Sequence, residues 1–520
     1  MGETQPSVRA CGPCQKYKRR CDKAQPACGL CTKLNRACSY NDGRGQNETL
    51  RRRVEELEIY VASSGSSVNL QGGDVDGSLL RYQKFFIDSD LYTQLNTLPQ
   101  CSTAHTIPPS VSREIGSSQE RRETVSTYFE TIHPWMPIVS KLKWQQLLRV
   151  GSENAMRPDQ ALLLLSMKLI QHVPTGTIHA ARSSLYTAVR EFSTALEMAG
   201  VYSLYRLQSS VLMTVYEMGH GIFPPAYMSL GHSVTQATAL GLHDEEAPQM
   251  LEKPRNWVEW EERLRTWWAV RIIDRFIAVG GNNRPLFTED PRPNSHLPAD
   301  DDAWDRGELT SPERMLISFP HQLAASPFGR VAQAAHLLGQ VVRHCNEQPA
   351  DLREVMANIE SLNKLASSFL ELLTNEDENV YHFRDAIAIC FSCDSFAARP
   401  GQADNTTSLA LLHAITENSR ASLHQIIARL MEFEEAVRLE EDRRLTATCP
   451  SPWACQPLYK SAALMLWLGS AAPPEEGDSL LERSRRCKED IKTLGNRWKI
   501  ADAYQEALVK VEKELAAGLY

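Results

Sequence analysis

Cys11-Gly12-Pro13-Cys14-Gln15-Lys16-Tyr17-Lys18-Arg19-Arg20-Cys21-Asp22, continued by Lys23-Ala24-Gln25-Pro26-Ala27 and then Cys28, Cys31 and Cys38, is the stretch on which the reading of this chain turns. Its six cysteines run C-x2-C-x6-C, then six residues, then C-x2-C-x6-C again, so one three-cysteine unit is duplicated. A small disulfide knot would use six such cysteines. Against it, Met1-Gly2-Glu3-Thr4-Gln5-Pro6 has no apolar core of a secretory signal, and an intracellular, reducing setting is expected. Metal binding explains the spacing better, because C-x2-C lets two thiolates meet one tetrahedral ion from a tight turn. One zinc would use four sulfurs and strand two, whereas two separate zincs need eight ligands, and no histidine precedes His105. Two bridging thiolates close the count. The duplication nominates its leading cysteines, Cys11 and Cys28, as bridges of a cluster of two Zn²⁺ ions held by Cys11, Cys14, Cys21, Cys28, Cys31 and Cys38.

Charge points to the partner. Between Cys11 and Cys38 stand Lys16, Lys18, Arg19, Arg20, Lys23, Lys33 and Arg36 against one acid, Asp22, in a chain whose formal net charge is -8. With thiolates and metal included, the module keeps about +4, and it is too small to hide that charge. This is a phosphate-seeking surface on an otherwise acidic protein. These residues resemble the fungal zinc binuclear cluster (Zn2Cys6) transcription factors, and Pro26 matches the proline-containing loop between the halves in that family. The resemblance implies that the first helix presents its end to double-stranded DNA in the major groove at a CGG triplet. It also implies that Lys18 reaches base edges while Lys16, Arg19 and Arg20 hold the backbone. A lysine can donate to guanine O6 and N7, and phosphate contacts set register without reading sequence. Gln15 and Tyr17 depart from the basic residues usual in the family.

Asn41 to Gln46 read as a polar linker, after which Asn47 is an N-cap for a helix whose Leu50, Val54, Leu57 and Val61 recur at coiled-coil spacing. Arg53 and Glu58 fall at positions that attract across a parallel pair, so a homodimer through this seam is expected; a single amphipathic helix on its own chain is the alternative. Residues 62–78 are rich in Ser and Gly and a second polar stretch runs from Pro99 to Gln119.

From Glu120 onward helical periodicity recurs and strand alternation is scarce. Helices are expected near 158–172, 179–199, 203–218, 225–240 with Gly241 as cap, 353–373, 409–440, 459–469 and 479–516. A further helix carries Trp260, Leu264, Trp267, Trp268, Ile272 and Phe276, interleaved with Glu261, Glu262, Arg263, Arg265, Arg271 and Arg275. The expected class is mostly α: a binuclear zinc module over 8–40, a linker and short coiled coil over 41–61, a flexible linker over 62–119, and a large all-α regulatory domain over 120–520. Tyr128 to Trp135, and Glu261 to Val270 with Asp274-Arg275, resemble the middle homology region of the same family. There it is helical and regulatory, and in some members senses a metabolite. Core packing is the plainer expectation for each of these motifs.

The chain has 520 residues with 42% hydrophobic and 23% charged composition, enough to bury a sizeable core. No apolar run approaches the roughly 18 residues of a membrane span, so no membrane role is expected. Nor is enzyme activity: Gly-x-Ser-x-Gly, His-Glu-x-x-His and Walker patterns are absent from the sequence. Cys390 and Cys393 have metal spacing but no second pair, and buried thiols are the better reading. Glu289, Asp290, Asp300, Asp301, Asp302 and Asp305 read as a solvated acidic loop. The combined expectation is a nuclear, sequence-specific regulator of transcription by RNA polymerase II, engaging the transcription machinery, with a small-molecule effector as a further partner. An effector receptor and a helical enzyme with an accessory zinc module are the rival classes.

Overall fold

The computed structural model describes residues 10–11, 13–14, 19–24, 26–38, 106–150, 156–175, 181–280, 284–318, 325–346, 352–376, 380–397 and 450–517. It divides into two units, Met1–Ile87 and Asp88–Tyr520. The coiled-coil seam, the linker up to residue 105 and the helix expected at 409–440 lie outside the described residues. In the first unit, α1 spans Gly29–Lys33 and packs Cys31 and Leu30 onto a cluster of cysteine side chains.

Among its described residues the regular structure of the second unit is helical, with one isolated β-bridge, His296 to Leu316. It begins earlier than residue 120. Pro109 opens α2 (Pro109–Ile115), whose Val111 and Ile115 are buried, and Lys168 donates to the Glu114 carbonyl. Two apolar residues in seven are a weak periodic signal, yet burying each contributes about 1.5–3 kcal/mol. Ser117 and Glu120 then form a reciprocal capping box on α3 (Ser118–Thr131). After α4 (Lys141–Val150) come α5 (Pro158–Gln171), α6 (Ser184–Met198), α7 (Leu204–Gly219) and α8 (Pro225–Ala239). Gly241 has φ 84°, the left-handed conformation that ends α8 where glycine was expected to cap it.

α7 lies against α5 and α8 and is buried on all sides from Arg206 to Gly219. A helix so enclosed must satisfy its polar side chains internally. Gln208 donates to the Ile138 carbonyl at 2.6 Å, Ser210 and Ser233 lie 2.8 Å apart, and Thr214 bonds back to the Ser210 carbonyl. α9 (Trp257–Gly280) packs on α7 and α8 and is followed by the short α10 (Asp301–Arg306). Then follow α11 (Pro327–Asn346), α12 (Leu352–Glu376) and α13 (Arg384–Ala397).

The C-terminal end differs from the single helix expected over 479–516. After α14 (Cys455–Ala471), the chain forms α15 (Pro474–Gly495) and α16 (Ile500–Ala516), with a break at Asn496 to Lys499. The break turns Trp498 into the core, where it is fully buried. Its indole donates to the Pro450 carbonyl at 2.8 Å, and its ring lies 6.2 Å from Trp135 and 5.4 Å from His220. Gly219 makes room for it, since a Cβ there would come within 2.3 Å of the Trp498 ring. Arg497 covers the ring at 3.9 Å and donates to the Ile170 carbonyl. A continuous helix could not deliver both side chains to that socket.

Candidate metal centre and nucleic-acid interface

Cys28 serves two roles in the first unit. It is the N-cap of α1, with extended backbone (φ -70°, ψ 149°), and its sulfur accepts from the Cys31 N–H at 3.4 Å. That donor lowers the Cys28 thiol to about 6, favouring thiolate. Burial raises the thiols of Cys11, Cys14 and Cys31, the last to about 12. Closely spaced buried thiolates repel one another, and a cation among them reverses that preference.

The six sulfurs form two overlapping groups of four, Cys11, Cys14, Cys21, Cys28 and Cys11, Cys28, Cys31, Cys38, each with its ligand atoms within 4.8 Å of one another. Cys11 and Cys28 belong to both. The Sγ separations are 3.6 Å for Cys11–Cys28, 3.7 Å for Cys11–Cys31 and Cys14–Cys28, and 3.9 Å for Cys21–Cys11. A tetrahedron with zinc–sulfur bonds of about 2.3 Å has an edge of about 3.8 Å, so the donor set fits two ions sharing two sulfurs. A disulfide would bring a pair to about 2.05 Å, and all six cysteines are free. Ligation would be by thiolate throughout, with the metal supplying the charge that lets the six approach.

By sequence Asp22 is the lone acid between Cys11 and Cys38. In the structure its carboxylate accepts from the Gly29 N–H at 2.9 and 3.1 Å and from the Ala24 N–H at 3.3 Å, tying the inter-cysteine loop to the first turn of α1. A Cβ at Gly29 would sit 2.6 Å from the Asp22 carboxylate. The signal was present as an acid directly after the third cysteine of the first half and a glycine directly after the first cysteine of the second. Arg19 and Arg20 are exposed, and the Arg19 N–H donates to the Cys14 carbonyl at 2.9 Å. Lys16 and Lys18 lie outside the described residues.

In the second unit, the sequence motifs are packing and pinning devices. Tyr128 and Trp135 are buried, and His133 stacks on Trp304 and contacts Asp305 at 2.9 Å. On α9, Trp267 and Trp268 are buried as the apolar stripe implied, but the charges between them are buried too. Arg265 pairs with Glu261 at 2.8 Å and Asp301 at 2.6 Å. Glu262 accepts from the Ser140 N–H at 3.0 Å and Lys143 at 2.7 Å. Arg275 pairs with Asp274 at 2.9 Å and Asp290 at 3.2 Å. The acidic loop is therefore not simply solvated. Asp290, Asp301 and Asp305 are engaged, and Asp300 caps α10 by accepting from Ala303 N–H at 2.8 Å, because buried arginines and an open helix end demand acceptors. Cys390 is buried in α13.

The fold and site find direct counterparts among known families. Residues 125–390, just over half of the chain, match the fungal specific transcription factor domain, and residues 9–47 match the fungal Zn(2)-Cys(6) binuclear cluster domain. The chain is 37% identical over 186 residues to transcription factor BOA15 of Botryotinia fuckeliana (strain B05.10), covering 35% of this chain and 99% of that one. It is 23% identical over 385 residues to the citrinin biosynthesis transcriptional activator mrl3 of Monascus ruber, covering 66% and 74% of the two chains. With the pigment biosynthesis transcriptional activator pigB of Monascus ruber it shares 23% identity over 322 residues, 58% and 57% of the respective chains. The chain belongs to the fungal transcription factors that join a zinc binuclear cluster to this helical domain. It is a DNA-binding regulatory protein, and its cluster holds two zinc ions.

Proposed function

We propose that this chain is a nuclear, pathway-specific activator of biosynthesis genes, recognising CGG-type half-sites through its zinc module. The observation that carries the reading is the pair of four-sulfur groups sharing Cys11 and Cys28 next to exposed Arg19 and Arg20. In it, Cys11, Cys14, Cys21, Cys28, Cys31 and Cys38 ligate two zincs with Cys11 and Cys28 bridging. Lys18 reads guanine, while Lys16, Arg19 and Arg20 engage phosphates. The names of the citrinin and pigment activators support a role in a biosynthetic gene cluster. Leu50, Val54, Leu57 and Val61 pair two chains so that two modules meet two half-sites, and the helical body carries the regulation, a small-molecule effector included.

Binding of the full chain to DNA with one and two CGG triplets tests these assignments. Lys18→Ala is expected to lower discrimination at a guanine by about 1–3 kcal/mol, whereas Arg20→Ala weakens all sequences alike and flattens the salt dependence. Leu57→Asp is expected to remove the gain from the second triplet, since the second module is no longer held at high local concentration. A wild type that gains nothing from two triplets overturns the dimer, and equal losses on specific and random DNA overturn the role of Lys18.

A further inference from the structure

Arg271 stands one helical turn beyond Trp267 on α9 and is 7% exposed. Its guanidinium carbon lies 5.0 Å from the Trp267 ring centre and 5.2 Å from that of Trp268. Arg265 and Arg275, on the same helix, are each held by two carboxylates. Arg271 is different: among the described residues no hydrogen bond or ion pair engages it, its Nε is sealed from solvent without an acceptor, and its Nη atoms keep contact with solvent. The Trp267 indole Nε1, 5% exposed as a residue, is likewise a sealed donor with no acceptor. Two orphaned donors thus lie one turn apart.

The nearby acids do not answer them. Asp244 pairs with Arg292 at 2.8 Å, and Asp290 is shared by Arg275 at 3.2 Å and Arg343 at 2.8 Å. Glu289 is exposed and contributes its backbone carbonyl to Arg275. Burial, helped by the like charge of Arg275, pulls the Arg271 pKa down to about 9, so the group is still a cation at neutral pH. The two indole faces offset part of the charge, but neither ring is a hydrogen-bond acceptor in the plane of the guanidinium, and a largely buried cation with no carboxylate is costly.

We propose that Arg271, through the Nη atoms it keeps at the surface, binds an oxyanion, the carboxylate or phosphate group of a small molecule, in the helical body. Guanidinium is suited to this because its planar fork donates two parallel hydrogen bonds to such a group. The site would serve the effector described above, and only its regulatory meaning rests on that reading.

The full chain is titrated with inorganic phosphate, acetate, succinate and citrate at fixed pH and ionic strength. Binding is read by melting temperature and by tryptophan fluorescence, to which Trp267 and Trp268 contribute. A saturable rise in melting temperature is expected with phosphate or with the carboxylates, and whichever series saturates identifies the group. Arg271→Met should weaken that binding by at least about tenfold, since a charge-assisted bidentate contact is lost. Arg271→Lys should retain part of it, and Glu289→Gln should tighten it by removing a competing anion. No saturable response in the wild type, or an unchanged response in Arg271→Met, overturns the site; if the methionine variant does not fold, an unchanged affinity in the lysine variant does so instead. If anions bind as expected but DNA binding and transcript levels do not respond, the site stands and the effector reading falls.

Discussion

In the N-terminal unit, six sulfurs within two overlapping groups are organised around charge that a metal must supply, and among the described residues the apolar side chains packed against them, apart from the cysteines themselves, are Ala10 and Leu30. In the helical body, charge is also buried, but there each of Arg265, Arg275 and Glu262 meets partners from the chain itself inside one continuous hydrophobic core. The two units therefore draw their stability from different sources. A module of some thirty residues buries too little apolar surface to fold alone and relies on metal–thiolate bonds. The body relies on burial, with ion pairs that fix which loop docks on which helix more than they add stability.

Chelation should separate the two regions most sharply. Removing zinc is expected to abolish specific DNA binding, a loss of about 1,000-fold or more if only non-specific contacts remain, while far-UV circular dichroism of the body stays largely unchanged. A parallel collapse of helicity would mean that the body depends on the metal as well.

Trp498→Ala works in the opposite direction. It empties the socket formed with Trp135, His220 and Gly219 and should destabilise the body by about 3–5 kcal/mol, with zinc content unaffected. Denaturant unfolding of the variant measures this. A loss under about 1 kcal/mol would show that the C-terminal helices are accessory to the core rather than part of it.

The smallest effect concerns the Ser117 and Glu120 capping box. Hydrogen bonding from the Ser117 backbone and then its side chain holds the Glu120 carboxyl below its ordinary range. Its contribution is therefore fully present above the ordinary glutamate range and is lost as pH falls through the depressed value in the folded protein. Glu120→Gln should flatten the acid side of the melting-temperature profile slightly, and an identical pH profile would remove the box from the account.

The metal module was legible because ligand arithmetic is discrete. Six cysteines at two repeated spacings leave few ways to satisfy tetrahedral zinc, and Cys11 and Cys28 followed from symmetry before their sulfurs were seen to belong to both groups. The body was legible as helix and less so as topology. α11 is not legible as a stripe, because its buried Phe328, Val331, Ala332, Ala334, Ala335, Leu337, Leu338, Val341 and Val342 crowd adjacent positions, are one-third alanine, and are interrupted by Gly329 and Gly339. On α9 the aromatic face was plain from spacing, but burial of the intervening charges depends on Asp290 and Asp301, distant in sequence, and no local pattern announces those pairs. The break before Ile500 was missed for a similar reason: the periodicity continues past Asn496, while the socket for Trp498 is built by Trp135, Gly219 and His220 from elsewhere in the chain.

Whether the six cysteines hold a shared binuclear cluster is decided by the zinc content of the purified full chain together with its free-thiol count after metal removal. Two zincs per chain, with the six N-terminal cysteines recovered as thiols, is the predicted result. One zinc per chain, or disulfides among Cys11, Cys14, Cys21, Cys28, Cys31 and Cys38, would contradict it.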